Sequence, residues 1–303
     1  MNPHRLHAYF LFLMVAVIWG IAGPVIKLTL HGIPADVFLL YRFFVSSVVA
    51  VVLFGKHIKF PNFKTFLEAT VYSLLNVPLP LLALFWGISK TSLLHVSLIS
   101  LLGPLLTILA GYFFLKDHIT KREKFGIFIA FLGSMFILIE PLIKSHIGIE
   151  GLTGDLLIFL YVASSVIAGV ILKKLLRQGV NAVTLANYSF IVGLVTLLPV
   201  TLMNTNMGSI ISTVSNLGIW YHLGVLYMAL ISGNLAFSLL NLGQKTIELS
   251  EAALFMYLYP IISGLLAIFV LGDKVTTTII IGSAITFVGV AIAEIKLKKS
   301  KHS

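Results

Sequence analysis

Long apolar runs alternate along the chain with short polar breaks. A hydrocarbon core of about 30 Å takes about 20 apolar residues as a helix. Ten runs approach that length, at 7–28, 36–54, 66–88, 94–115, 124–142, 153–175, 184–203, 218–241, 250–271 and 277–295. The pattern predicts an all-α integral membrane protein of ten transmembrane helices. The longest break, 204–217, is rich in Asn, Ser, Thr and Gly, carries no charge and reads as a loop. The first run continues from Tyr9 through Trp19 and Gly20 to Lys27 without a small-residue cleavage site. It reads as a retained span rather than a signal peptide.

Ten spans leave both termini on one side, and the basic residues say which. Sixteen lie on the side of the termini, among them Arg5, Lys56, Lys116, Lys121, Arg122, Lys124, Lys173, Arg177, Lys245 and the tail "KLKKSKH". Four lie on the other side, Lys27, Lys90, Lys144 and Lys274, and Arg42 falls inside span two. Basic loops stay in the cytoplasm, so both termini are expected there, with the protein multi-pass in the cytoplasmic (inner) membrane.

Composition agrees. The chain is 58% hydrophobic and 11% charged, against about 25% charged residues in a soluble domain. A net charge of +10 would suggest nucleic acid in a soluble protein; here it reports loop orientation, and no nucleic-acid partner is expected. With no cysteine, disulfides, thiolate metal sites and cysteine nucleophiles are excluded.

The chain repeats itself. "PLLTILAGYFFLKDHITKREKFGIFIAFLG" from Pro104 matches "PIISGLLAIFVLGDKVTTTIIIGSAITFVG" from Pro260, without a gap, at an offset of 156. The offset pairs Asp117 with Asp273, Thr120 with Thr276, Gly126 with Gly282 and Gly133 with Gly289. A weaker match at offset 146 relates "IAGPVIK" at 21–27 to "IAGVILK" at 167–173. The reading is two five-helix halves, 1–147 and 148–303. Five is odd, so the second half enters the membrane from the opposite side. In the matched register Lys121, Arg122 and Lys124 become Thr277, Thr278 and Ile280. Charge present in one copy and absent from its twin fits a topological anchor better than a phosphate dock. The shared Asp and following Thr fit a turn and helix N-cap before spans five and ten. Inverted halves are a recurring design of secondary transporters, with substrate bound near the midplane where the halves meet.

Several segments carry a resemblance: "VIWGIAGPVIK" in span one, the Arg of "LLYRFF" in span two, "LISLLGPLLTILAGYFFLKD" and its twin "ALFMYLYPIISGLLAIFVLGD". Together, over essentially the whole chain, the sequence resembles the drug/metabolite transporter superfamily, in its ten-helix branch with two EamA domains. The chain departs from that pattern with His118 after Asp117, and with Ser165-Val166 where the first half has Trp19-Gly20. The resemblance implies a carrier for small metabolites, often an exporter of amino acids or related compounds, with no cofactor.

Candidate substrate-binding residues are Trp19, Arg42, Asn76, Trp86, Asn187, Tyr188, Asn234 and Tyr257. Arg42 is the one strong charge well inside a span. It either snorkels or bonds backbone carbonyls, or attracts a carboxylate or phosphate on the substrate. The aromatics suit a pocket lining or an interfacial belt; the amides hold helices together or bind substrate. Pro78, Pro80, Pro104 and Pro260 are candidate hinges or static kinks. The eleven acids all fall in loops or near helix ends, which argues against a carboxylate-driven proton pump; Glu251, at the start of span nine, is the nearest to an exception. The nine His are scattered, with no HExxH, phosphate loop or Ser/His/Asp arrangement, and no metal site is expected. The expected partners are a small-molecule substrate and the lipid bilayer, with a homodimer compatible with the pattern. The rival classes are a membrane-embedded enzyme acting on a lipid-linked substrate and a channel or scaffold.

Overall fold

The structure is a computed structural model that describes residues 3–88, 90, 99–100, 102–144, 152–259, 262 and 277–294. Every described element is helical. The long helices are α1 (Pro3–Thr29), α2 (Ala35–Phe54), α3 (Phe63–Asn76) and α4 (Pro78–Ile88), then α5 (Leu102–Leu115), α6 (Lys121–Lys144), α7 (Leu152–Arg177) and α8 (Ala182–Asn204). The rest are α9 (Met207–Ser215), α10 (Ile219–Leu226), a π segment at Tyr227–Leu235, α11 (Ala236–Thr246), α12 (Leu249–Leu254) and α13 (Thr277–Glu294). Six described helical runs are long and apolar enough to cross a membrane: Pro3–Ile26, Ala35–Phe54, Phe63–Gly87, Thr153–Arg177, Ala182–Met203 and Ile219–Thr246. Leu102–Leu115 and Ile280–Ala293 are shorter apolar helices. Parts of predicted spans four and nine, with Pro260 and Asp273, lie outside the described residues.

Their surface is oily: Val52 is 73% exposed, Phe114 76% and Phe287 64%. In water such a girdle would drive aggregation; around a membrane span it is the lipid face. Inside, Phe38, Phe43, Phe190, Leu197 and Met228 form one buried cluster. Tyr72, Leu172, Leu175 and Leu185 form another.

Two predicted features change. The 204–217 loop contains helix α9, because Asn206 caps it by accepting from Ser209 N at 2.8 Å and Ile210 is buried in the core. Span eight is not a uniform α-helix: Tyr227–Leu235 is a π segment. The expected turn and cap before span five are there, with Thr120 as the N-cap of α6. Glu123 N donates to Thr120 Oγ1 at 3.2 Å while Thr120 N donates to Glu123 Oε2 at 2.6 Å, a reciprocal capping box.

Pro78 does interrupt its span. Helix α3 ends at Asn76, Val77 (φ −123°, ψ −71°) intervenes, and α4 begins at the proline. Pro78 and Pro80 have no N–H to give the carbonyls four residues back. Pro104 lies within Leu102–Leu115 and is buried.

Helices α6 and α13 approach backbone to backbone. A Cβ on Gly126 would lie 2.6 Å from Gly289 O and Ala293 N, and one on Gly133 2.5 Å from Thr286 N and 2.8 Å from Gly282 O. The contacts run in opposite order along the two helices, so the pair is antiparallel.

Candidate functional site

The π segment carries a polar seam into the apolar interior. Widened turns of this kind recur at functional sites. Here one brings the Ser232 carbonyl to α1, where Trp19 Nε1 donates to it at 3.0 Å. The Trp19 ring meets Phe237 and Tyr259 edge-on at centroid distances of 5.2 and 5.5 Å. Phe237 in turn meets Phe190 at 5.6 Å.

Beside these rings lie the amides. Asn234 Nδ2 donates to Asn187 Oδ1 at 2.7 Å and to Ser46 O at 3.1 Å. Asn187 Nδ2 donates to Val183 O at 2.9 Å. Ser46 donates to Ala229 O at 3.0 Å and Ser238 to Asn234 O at 2.6 Å. These donors fix which way Asn234 faces, and its Oδ1 is left buried without a partner. The predicted residues Trp19, Asn187 and Asn234 thus meet where α1, α2, α8 and the π segment converge.

Arg42 lies one helical turn from Ser46 on α2, about 6 Å along the axis. It is 4% exposed, and its Nε makes no hydrogen bond. Phe38, a turn the other way, meets Phe85 of α4 at 6.4 Å. Beyond it, Ala35, Asp36, Leu82, Trp86, Leu197, Val200 and Thr201 line a cleft of 290 Å³. Trp86, 47% exposed, therefore sits at the cleft mouth rather than with Trp19.

Other predicted residues are not brought to the seam. Asn76 and Asn241 both donate to the buried Tyr72 hydroxyl, at 3.0 and 3.3 Å, and Asn241 also to Ala182 O at 3.1 Å. They hold α3, α8 and α11 together. Tyr188 shares a hydrogen bond with Thr70 at 2.9 Å and packs on Phe60 at 5.1 Å. Tyr257 is 1% exposed, in the cluster with Phe12 and Phe255.

The opposite end, with Arg5, Lys116 and Arg177, is closed by charge. Asp117 Oδ2 accepts from Ser250 N at 3.1 Å and from the Ser250 hydroxyl at 3.2 Å, and Arg177 approaches Asp117 Oδ1 at 3.6 Å. Glu248 Oε2 accepts from His118 N at 3.2 Å. Glu251 accepts from both Arg5 and Tyr9. Lys173 donates to Gln244 O at 2.6 Å and to Ile247 O, satisfying carbonyls at the end of α11. Burial pushes the Glu248 carboxyl above its ordinary range, and the nearby charges of Asp117 and Glu251 push the same way. Arg5, His118, Glu123, Glu248 and Glu251 border a cleft of 190 Å³. Among the described residues no group of His, Asp or Glu could hold a metal ion. Reading by span placed these acids correctly near helix ends but missed that Asp117 reaches across to α12. Only the offset-156 twin, an Asp kept at the same place, marked it.

The family model for EamA-like transporters matches residues 6–139 and, separately, 152–294. The uncharacterized transporter YyaM of Bacillus subtilis is 28% identical over 72% of this chain and 70% of its own. The uncharacterized transporter YetK of the same organism is 25% identical over 97% and 89%. An uncharacterized transporter of Archaeoglobus fulgidus is 22% identical over 95% and 97%. A solved protein crystal structure superposes with a TM-score of 0.80 at 15% identity, over 95% of this chain and 96% of that one, a likeness of fold.

Proposed function

We propose, from the premise that this chain belongs to the EamA-like transporter family, that it is a secondary transporter working by alternating access. Membership makes it a multi-pass membrane transporter and not an enzyme. Its machinery is two five-helix halves, 1–147 and 148–303, inserted in opposite directions and exporting small metabolites such as amino acids. The membrane is the cytoplasmic one, with both termini inside.

The observation that carries this reading is the α6–α13 contact. Gly126 meets Gly289, the offset-156 twin of Gly133, and Gly133 meets Gly282, the twin of Gly126. A pairing in which each residue touches the other's twin is what a two-fold axis between copies produces. The two separate family matches support the same division.

Such halves bind substrate where they meet, which favours the seam of Trp19, Asn187 and Asn234 with Arg42 above it. The inner end is tied shut by Asp117, Arg5 and His118 of the first half, each on residues 248–251 of the second. The conformer therefore reads as one closed toward the cytoplasm, and inward opening must break these bonds. Glu251 is occupied in that closure, which fits exchange or facilitated export rather than a carboxylate-driven pump.

Saturable uptake by proteoliposomes, screened with labelled amino acids, sugars and nucleotide precursors, tests the reading. Saturable, counterflow-stimulated flux of one class is expected. Rapid non-saturating flux would identify a channel instead. Uphill flux that requires a pH gradient and is lost in Glu251→Gln would overturn the coupling assignment.

A further inference from the structure

Arg42 has neither of the two ordinary fates of a charge in a span. A snorkelling arginine carries its guanidinium to the interface, but this residue is only 4% exposed. A structural arginine is satisfied by carbonyls or a carboxylate. No hydrogen bond or ion pair joins Arg42 to another described residue, and its Nε is buried unpartnered. Asp36 lies on the same helix but borders the outer cleft without pairing to it. A buried charge left alone is destabilising, and an oxyanion brought in from outside the chain would relieve it.

Along one face of α2, Ala35 borders the cleft, Phe38 meets Phe85, Arg42 follows, and Ser46 receives Asn234. Ala35 and Arg42 are seven residues apart, two turns and about 10 Å. Between the cleft and the guanidinium stands the edge-on pair Phe38–Phe85, with Phe38 buried. One turn deeper, Asn234 Oδ1 is a buried acceptor with no donor.

We propose that Arg42 is the anion-recognising element of the transport site, and that substrates carry a carboxylate or phosphate together with an N–H or O–H donor for Asn234. This rests on the transport reading above and adds its selection rule. The planar guanidinium offers paired donors to either oxyanion, so chemistry alone does not choose between them.

The test uses matched probes in the full-length protein: an amino acid against its amide, and a sugar phosphate against the free sugar. Each is measured for saturable uptake and for thermal stabilisation of the detergent-solubilised protein, in the parent, Arg42→Met and Arg42→Lys. The expectation is at least tenfold preference for the anionic member, lost in Arg42→Met and partly kept in Arg42→Lys. The ligand-free Arg42→Met protein is expected to melt at or above the parent temperature, because an unpaired buried charge has gone. A lower melting temperature would mean that Arg42 holds the fold, and equal handling of both members would mean that no anion is read; either overturns the proposal. Anion-dependent stabilisation without flux would keep the site and sink the transporter reading. Neither stabilisation nor flux from any probe would sink both.

Discussion

Asp117 and Ser250 are 133 positions apart, yet the carboxylate of one accepts both the backbone N–H and the hydroxyl of the other, at 3.1 and 3.2 Å. Ser250 N is one of the first amides of α12, which have no acceptor within their own helix. Its N-cap residue, Glu248, gives no side-chain capping bond, so Asp117 does this work from the end of α5. Asp117→Ala strands two buried donors and is expected to cost about 1–3 kcal/mol, read as a lower thermal midpoint. Asp117→Asn keeps one acceptor and is expected to lose less. Equal losses would show that the charge, paired with Arg177, matters more than the cap.

Where α6 and α13 touch, no side chain can yield. Gly133→Ala would set a methyl 2.5 Å from Thr286 N, forcing the helices apart at a cost of about 1–3 kcal/mol. Gly55→Ala meets only Val51 Cγ1, at 3.9 Å, and is expected to stay within about 0.5 kcal/mol of the parent. Thermal unfolding of both in one detergent makes the comparison.

Lys116 has φ 58°, a left-handed conformation that costs an L residue about 1–2 kcal/mol. Its twin at offset 156 is Gly272, the residue type such positions favour. Lys116→Gly is expected to gain about 0.5–1 kcal/mol, the strain relieved less the entropy glycine adds to the unfolded chain. A loss on unfolding would mean that the lysine head group makes up the difference.

Glu248 supplies a pH dependence of definite sign. Its carboxyl is raised by burial and by the charges of Asp117 and Glu251, with Lys173, Arg177, Arg5 and the His118 amide also facing the cluster. A carboxyl raised on folding binds its proton more tightly in the native state, so its contribution falls as pH rises from the unfolded value, about 4.3, through the folded one. Glu248→Gln is therefore expected to melt higher than the parent at pH 7.5, with the difference closing as pH falls below that window. A difference that persists at low pH would place its cause outside this titration.

The sequence made the membrane-spanning, all-helical fold and the family legible, because run length and charge bias act over many residues and survive local detail. What it concealed depends on single contacts. Helix α9 grows from Asn206 and one buried isoleucine in a stretch whose composition reads as loop. The π segment has no residue signature, since Gly233 and Ser232 suit an ordinary apolar helix equally well. Asp117 read as part of a local turn, whereas its carboxylate accepts from Ser250, and nothing near it in sequence announces that. Among the candidate pocket residues, Trp19, Asn187 and Asn234 converge, whereas Asn76 and Tyr188 bond elsewhere. Polarity inside a span marks a hydrogen bond to be made but not its partner.

The opposed insertion of the halves is the claim on which the rest stands, and the cysteine-free chain suits a direct measurement. Single cysteines replace Lys121 and its offset-156 twin Thr277, both exposed. A membrane-impermeant maleimide is then applied to right-side-out and inverted vesicles. The account predicts that position 121 labels only from the cytoplasmic face and position 277 only from the outer face. Labelling of both from the same face would contradict it.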